Sequence, residues 1–437
     1  MLLFYKTLIM FGLHLKNYKS FEDQAFDFSK INILIGTNSS GKSALLKFFL
    51  MLGQSCRVIS GNNLIINSTN TDLGAFEDIV TDNNINNDIE VEFTLDIKEP
   101  QYISQNATIT LPEGKVKLKY KFDKDLLIKN VEINHSTLGC IIITTSELVH
   151  DQSRFFIESQ KCSIEYEYNG IKKNFSDILY NQRGLFFILD NNNIIPEGVR
   201  TLMNYTMPFS IFIKYLEYYN PFLTTLKRTY PVENYSDADS IKDLANAIQV
   251  LQADSVHWNY DLTNILKEAL KDLGIADDFE IIKSDKVRVL ELQVKAIGDD
   301  KFRNILDIGF GVSLQIPLLL QAISSNRLVE GATILIEQPE IHIHPKLQAK
   351  LMEVLVKYGE KNTYFIETHS IHFIEALQVM VKKGLVKKED VTIHYFTKEN
   401  SRTKVSVHKI EDDGFLDIPI PKEFMSVSFD LVSQLLD

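Results

Sequence analysis

Two hydrophobic rhythms divide this chain. In the first, apolar and polar residues alternate: IEVEFTLDI (89–97), KVKLKYKF (115–122) and CSIEYEY (162–168). Period two sends every second side chain to one face, so these runs predict strands of an antiparallel sheet with one wet face. In the second, short solid apolar runs end abruptly: INILIG (31–36), ATILIE (332–337), NTYFIET (362–368) and VTIHYFT (391–397). With FGLHLKNY (11–18), these read as strands of an α/β unit. They alternate with helix-like GKSALLKFFLML (41–52), PKLQAKLMEVLVKYG (345–359) and SIHFIEALQVMVKKG (370–384). Strands alternating with helices predict a largely parallel sheet covered by helices.

IKDLANAIQVLQ (241–252) and LTNILKEALKDLG (262–274) place apolar residues three and four apart, a helical period. Neither sustains heptads for the length a long coiled coil needs. The predicted organisation is a discontinuous α/β head, residues 1–54 and 285–437. A β-rich insertion (55–195) and a helical insertion (196–284) interrupt it. Asn-rich GNNLIINSTNTD (61–72), TDNNINND (81–88) and DNNN (190–193) read as surface loops.

Composition narrows the classes. With 45% hydrophobic and 24% charged residues, the 437-residue chain has the make-up of a soluble globular protein. A net charge of −12 argues against a broad electrostatic grip on nucleic acid and leaves room only for a local basic groove. Three cysteines, Cys56, Cys140 and Cys162, share no zinc or redox spacing, which fits a reducing cytoplasm. The apolar opening MLLFYKTLIMFGLHL is broken by Lys6 and has neither the length of a membrane span nor the layout of a signal peptide. No membrane association is expected.

The candidate chemistry lies in four stretches. GTNSSGKS (36–43) fits the phosphate-loop pattern, follows an apolar strand and opens a helix. Its backbone N–H groups and the helix start favour an anion. Gly36, Asn38, Ser39, Ser40, Gly41, Lys42, Ser43 and Ala44 are the expected phosphate-binding residues. Lys42 reaches the β- and γ-phosphates, and the Ser43 hydroxyl holds Mg²⁺. Glu337, closing the run ILIE, can support that ion through water. His369 in ETHS (367–370) can donate to a γ-phosphate if its strand neighbours that of Glu337; it also reads as the residue before a Ser370 helix cap. DIGFGVSLQIP (307–317) opens another anion-friendly helix and reads equally as a plain loop-to-helix junction. A rival reading takes Glu340, His342, His344 and His369 as ligands of a hydrolytic metal centre.

In this order, the four motifs resemble the ABC-type ATPase heads of the SMC, RecF and OLD class. Among these, the chain looks most similar to the stand-alone ATPases of bacterial anti-phage defence, of the PARIS, Septu and retron-associated kinds; LGAFEDIV (73–80) and DIPIPKEF (417–424) share their flavour. The resemblance implies a P-loop NTPase fold, ATP and Mg²⁺ as cofactors, and a homodimer or larger homo-oligomer that traps ATP between heads. It implies that Gly311 and Ser313 cap the partner's nucleotide, that His369 senses the γ-phosphate, and that Gln54 joins Ser43 and Glu337 at the metal. It further implies a separate effector, a nuclease or toxin, since only roughly 70 residues follow His369, too few for an appended nuclease domain. A DNA-repair ATPase and an ATP-gated binding module without turnover are the alternatives.

One letter departs from the pattern. The residue after the Walker B acid is Gln338, where such heads carry a catalytic glutamate. An amide orients water but takes no proton at neutral pH. Slow hydrolysis is therefore expected, unless Glu340 or Glu367 serves as base. Glu337, Gln338, Glu340 and His369 form the expected catalytic set.

Overall fold

The computed structural model describes residues 11–57, 64–68, 71–97, 101–104, 108–149, 159–183, 186–189, 195–205, 216–221, 227–231, 244–257, 262–284, 286–326 and 331–421. The first ten residues, the 190–193 Asn run, Trp258, residues 422–424 and parts of the 61–72 and 241–252 runs lie outside them. The chain divides into two units: residues 1–29, 37–216 and 396–406 in the first, and 30–36, 217–395 and 407–437 in the second.

The first unit is built on a nine-stranded sheet. Its strands run in the order Phe186–Leu189, Ile171–Arg183, Ser159–Tyr168, Gly139–Val149, Ile128–His135, Gly114–Phe122, Ile89–Ile97, Phe11–Tyr18 and Phe21–Asp27. The alternating runs are all interior strands of it. Val91, Phe93 and Leu95 are buried, while Glu90 and Glu92 face outward opposite Lys119 and Lys117, with contacts of 2.8 and 3.0 Å. FGLHLKNY departs from its expected place. It pairs antiparallel with Phe21–Asp27 and with Ile89–Ile97. Its own alternation explains this: Leu13, Leu15 and Tyr18 are buried while Lys16 is exposed, a one-sided pattern that a parallel strand covered on both faces would not carry. The helix Lys42–Arg57 buries Leu45, Leu46, Phe48, Phe49, Met51 and Leu52. Phe48 meets Tyr18 edge-on at 5.3 Å, and Phe49 meets Phe28 at 5.8 Å.

The second unit carries the larger part of a six-stranded sheet in the order Leu216–Tyr219, Thr333–Glu337, Thr363–Glu367, Ile31–Gly36, Val391–Glu399 and Arg402–His408, residues 396–406 counting with the first unit. The three strands from Thr333 to Gly36 in that order run parallel. Ile33, Ile35, Ile334, Ile336 and Ile366 are fully buried. Each such side chain contributes roughly 1.5–3 kcal/mol on leaving water. The helices Phe310–Ser325, Pro345–Tyr358 and Ile371–Lys382 belong to this unit, and so does Leu262–Leu273, whose stripe Leu262, Leu266, Ala269, Leu270 and Leu273 is buried. Residues Ala276–Ser284, expected within the helical run, instead form a strand paired antiparallel with Val289–Ala296. Among the described residues the longest helices have 16 residues, and none is long and apolar enough to cross a membrane.

Candidate active site

The candidate phosphate loop follows from local chain geometry. The strand Ile31–Gly36 is buried throughout and ends at Gly36 with φ +139°, a region open to glycine. Thr37, Asn38 and Ser39 are exposed, while Ser40 is buried and its hydroxyl donates to the Thr37 carbonyl at 2.7 Å. Lys42 opens the helix. Its side chain is only 3% exposed, and Nζ donates to the same Thr37 carbonyl at 2.8 Å. A buried ammonium needs an oxygen partner, and here a loop carbonyl serves where a phosphate oxygen could. Ser43 and Ala44 sit half-buried in the first turn, which holds no acidic residue. The N–H groups of this helix start therefore meet no negative charge from within their own first turn.

Gln54 requires a correction. It lies eleven residues beyond Ser43 on the same helix, about 16 Å along the axis at 1.5 Å per residue. Its amide nitrogen donates to Ile65 O at 2.5 Å. An ion held by Ser43 is out of its reach.

The acids gather on one edge of the parallel sheet. Glu337 lies beside Glu367 in register, and Glu367 beside Leu34. Both carboxylates thus end their strands at the edge where Ile31–Gly36 delivers the phosphate loop. Thr368 N–H donates to Leu34 O at 3.1 Å, and Gln338 N–H donates to Glu367 O at 2.8 Å. Gln338 has φ +43°, so the chain turns sharply just past Glu337. Two residues on, Glu340 folds back. Its Oε1 accepts the His369 backbone N–H at 2.7 Å, while its buried Oε2 accepts no hydrogen bond. Burial pushes the Glu340 carboxyl above the usual carboxylate range, and the nearby Glu367 charge acts in the same sense; bonds from the His369 N–H and the Thr368 hydroxyl act against it. His369 is exposed, and Ser370 caps the next helix, accepting His372 N–H at 3.2 Å.

Two groups at Glu337 carry no sequence motif. Asn220 Nδ2 donates to Glu337 Oε2 at 2.8 Å and to the Tyr218 hydroxyl at 3.0 Å. Burial raises the Tyr218 phenol far above its ordinary value, and the Glu337 carboxylate adds to the effect. Tyr218 comes from Leu216–Tyr219, the strand neighbouring Thr333–Glu337, and Asn220 follows that strand directly. The only sequence signal was an aromatic run ending in Asn-Pro, a common strand terminator.

The stretch DIGFGVSLQIP (307–317) is only partly exposed. Gly309, exposed at φ +103°, caps the helix Phe310–Ser325. Gly311 packs so tightly that a Cβ there would lie 2.7 Å from His342 O. Ser313 is fully buried, which corrects the expectation that its hydroxyl caps a partner's nucleotide: it is out of contact range in this conformation. Gln315 Nε2 bonds Pro339 O at 3.2 Å, tying the helix to the turn after Glu337. His344 is a helix cap whose Nδ1 accepts Lys346 N–H at 3.2 Å. Among the described residues no group of three His, Cys, Asp or Glu is placed to hold a metal, so the rival hydrolytic metal centre loses its support.

The family described as AAA ATPase domain matches residues 10–374. No curated protein matches the chain in sequence. Three similar solved structures are heads of SMC proteins. An SMC head bound to the C-winged helix domain of ScpA is 11% identical, with TM-score 0.44, 92% of this chain covered and 98% of that one. The SMC head domain from Thermotoga maritima gives 10%, 0.40, 91% and 98%. An SMC head with an extended coiled coil, bound to the C-terminal domain of ScpA derived from Pyrococcus furiosus, gives 9%, 0.41, 98% and 99%.

Proposed function

The chain belongs to the AAA ATPase domain family, and on that premise we propose a slow, ABC-type ATPase that closes as a dimer around ATP and controls a separate effector, with anti-phage defence as its setting. The observation that carries the catalytic part is the shared sheet edge: the phosphate-loop strand, Glu337 and Glu367 end side by side. The exposed, glycine-capped start of Phe310–Ser325 is the feature offered to a partner's nucleotide. The effector and the defence setting rest on the motif resemblance.

Lys42 exchanges the Thr37 carbonyl for phosphate oxygens, and the first-turn N–H groups of its helix bind the same group. The Ser43 hydroxyl and, by the motif resemblance, the Glu337 carboxylate are hard oxygen donors of the kind that hold Mg²⁺ together with substrate phosphates. Bound there, the ion would neutralise charge developing on the phosphates. Asn220 and Tyr218 hold the Glu337 carboxylate in one orientation. Gln338 orients the attacking water but cannot take its proton. As water bonds to the γ-phosphorus and the bond to the β-phosphate oxygen breaks, the proton goes to the Glu340 carboxylate, a displaced base that only in part replaces the missing glutamate at position 338, so turnover stays slow while yielding ADP and phosphate. Glu340 works ionised. Because its pKa is raised, the acid limb of turnover lies at higher pH than for an ordinary carboxylate.

Steady-state turnover and ATP-dependent mass test this in one panel. Lys42→Ala abolishes both turnover and the ATP-dependent dimer. Gln338→Glu raises turnover at least about tenfold. Glu340→Gln lowers it by about 10²–10⁴-fold and removes the acid limb. A silent Gln338→Glu would sink slow turnover as a consequence of Gln338. An unchanged acid limb in Glu340→Gln would sink Glu340 as base.

A further inference from the structure

The loop that binds phosphate is braced from behind by a hairpin far away in sequence. Glu399 and Arg402 flank a two-residue turn, Asn400 at φ +47° and Ser401 at φ +66°, the left-handed pair that tight hairpins use. The residue after Arg402 is Thr403, 3% exposed. Its hydroxyl donates to the Ser40 carbonyl at 2.7 Å, and its backbone N–H donates to Ser20 O at 2.9 Å. Ser20 Oγ lies 2.7 Å from Thr403 Oγ1. A carbonyl can only accept, so the single Thr403 proton points at Ser40, and Ser20 must be the donor to Thr403. The result is a directed chain, Ser20 O–H to Thr403 O–H to Ser40 C=O.

This chain has a geometric consequence. In a trans peptide the carbonyl and the following N–H point to opposite sides. Pinning Ser40 O toward Thr403 therefore turns the Gly41 N–H away from Thr403. Gly41 sits at φ +109°, and a Cβ there would lie 2.6 Å from Thr403 Oγ1, so the loop has no slack against the brace. Arg402 anchors the hairpin tip. Its guanidinium bonds both oxygens of Asp82, at 2.7 and 2.5 Å, and Nε bonds Glu22 at 3.2 Å. That pairing holds the Asp82 carboxyl below its ordinary range.

We infer that Thr403, seconded by Ser20, is a positioning residue that presets the Ser40–Gly41 peptide for phosphate binding. It acts through the backbone of the loop and touches no substrate. The inference rests on the loop being the nucleotide site.

The test is titration of a fluorescent ATP analogue, with KM, kcat and Tm, on the full chain. Thr403→Val keeps the β-branched shape and removes the hydroxyl; Thr403→Ser keeps the hydroxyl. Thr403→Val is expected to weaken analogue binding and raise KM about fivefold, consistent with losing one neutral hydrogen bond. Its kcat stays within about twofold, and Thr403→Ser restores affinity. Ser20→Ala shifts affinity the same way by less, and it carries the test if Thr403→Val does not fold. Wild-type affinity in Thr403→Val, or in Ser20→Ala if that variant stands alone, overturns the inference. So does a loss in Thr403→Val that Thr403→Ser fails to restore. Lys42→Ala is the control: if it also binds as wild type, the failure belongs to the phosphate-loop reading itself.

Discussion

The two large sheets spend their polar residues differently. In the nine-stranded antiparallel sheet, charges such as Glu90, Glu92, Lys117 and Lys119 are spread along a solvent-facing side and pair across strands. In the six-stranded sheet the parallel strands are apolar along their length, and the acids stand at the strand ends. On the first, water and salt screen each pair, so single charges matter little. On the second, side chains buried on both faces fix the strand ends, and each end group has a defined neighbour. The lesson is that a polar residue's weight here depends on whether it lies along a sheet or at its edge.

Three substitutions sharpen or break this contrast. The largest stability effect is expected from Ile366→Ala, which truncates a fully buried side chain of the parallel sheet. It should cost about 2–5 kcal/mol in a denaturant titration. A cost below about 1 kcal/mol would mean that sheet is not packed on both faces. Next is Asn220→Ala, which removes a donor to the Glu337 carboxylate at 2.8 Å. Turnover should fall about tenfold, in line with a hydrogen bond to a charged group, while the unfolding midpoint moves much less than for Ile366→Ala. Equal losses of stability in the two variants would make Asn220 a packing residue only. The smallest is Lys119→Ala on the wet face. Its partner Glu90 lies 2.8 Å away with both side chains partly exposed, so the expected cost is within ~1 kcal/mol and shrinks in high salt. A salt-independent loss as large as that of Ile366→Ala would overturn the account of that face.

Much of this was readable from residue order. GTNSSGKS does lie between a buried strand and a helix, the context its pattern calls for. The alternating runs at 89–97 and 115–122 became interior antiparallel strands. Other features were not readable, for identifiable reasons. FGLHLKNY lies close in sequence to a parallel strand, but its alternation marks it for a one-sided sheet, where it pairs antiparallel. Gln54 is implied by the motif resemblance, but helix rise carries it away from Ser43. Ser313 was chosen by motif, and packing buried it. Asn220 and Tyr218 had no motif because their role depends on which strand neighbours Thr333–Glu337, a fact absent from local pattern.

The sequence by itself determined the local chemistry: which segments could be strands or helices, where backbone N–H groups could cradle a phosphate, and that position 338 holds an amide instead of a carboxylate. Those properties depend on residue type and short spacing, which survive in any fold that keeps the segment intact. Only the tertiary structure decided the partnerships. It set Glu337 beside Glu367, gave Glu337 its Asn220 donor, folded Glu340 back onto the His369 N–H, and put Thr403 behind Ser40 at a separation of 363 positions. Such contacts are fixed by strand order and close packing, because a hydrogen bond acts over about 3 Å whatever the separation along the chain.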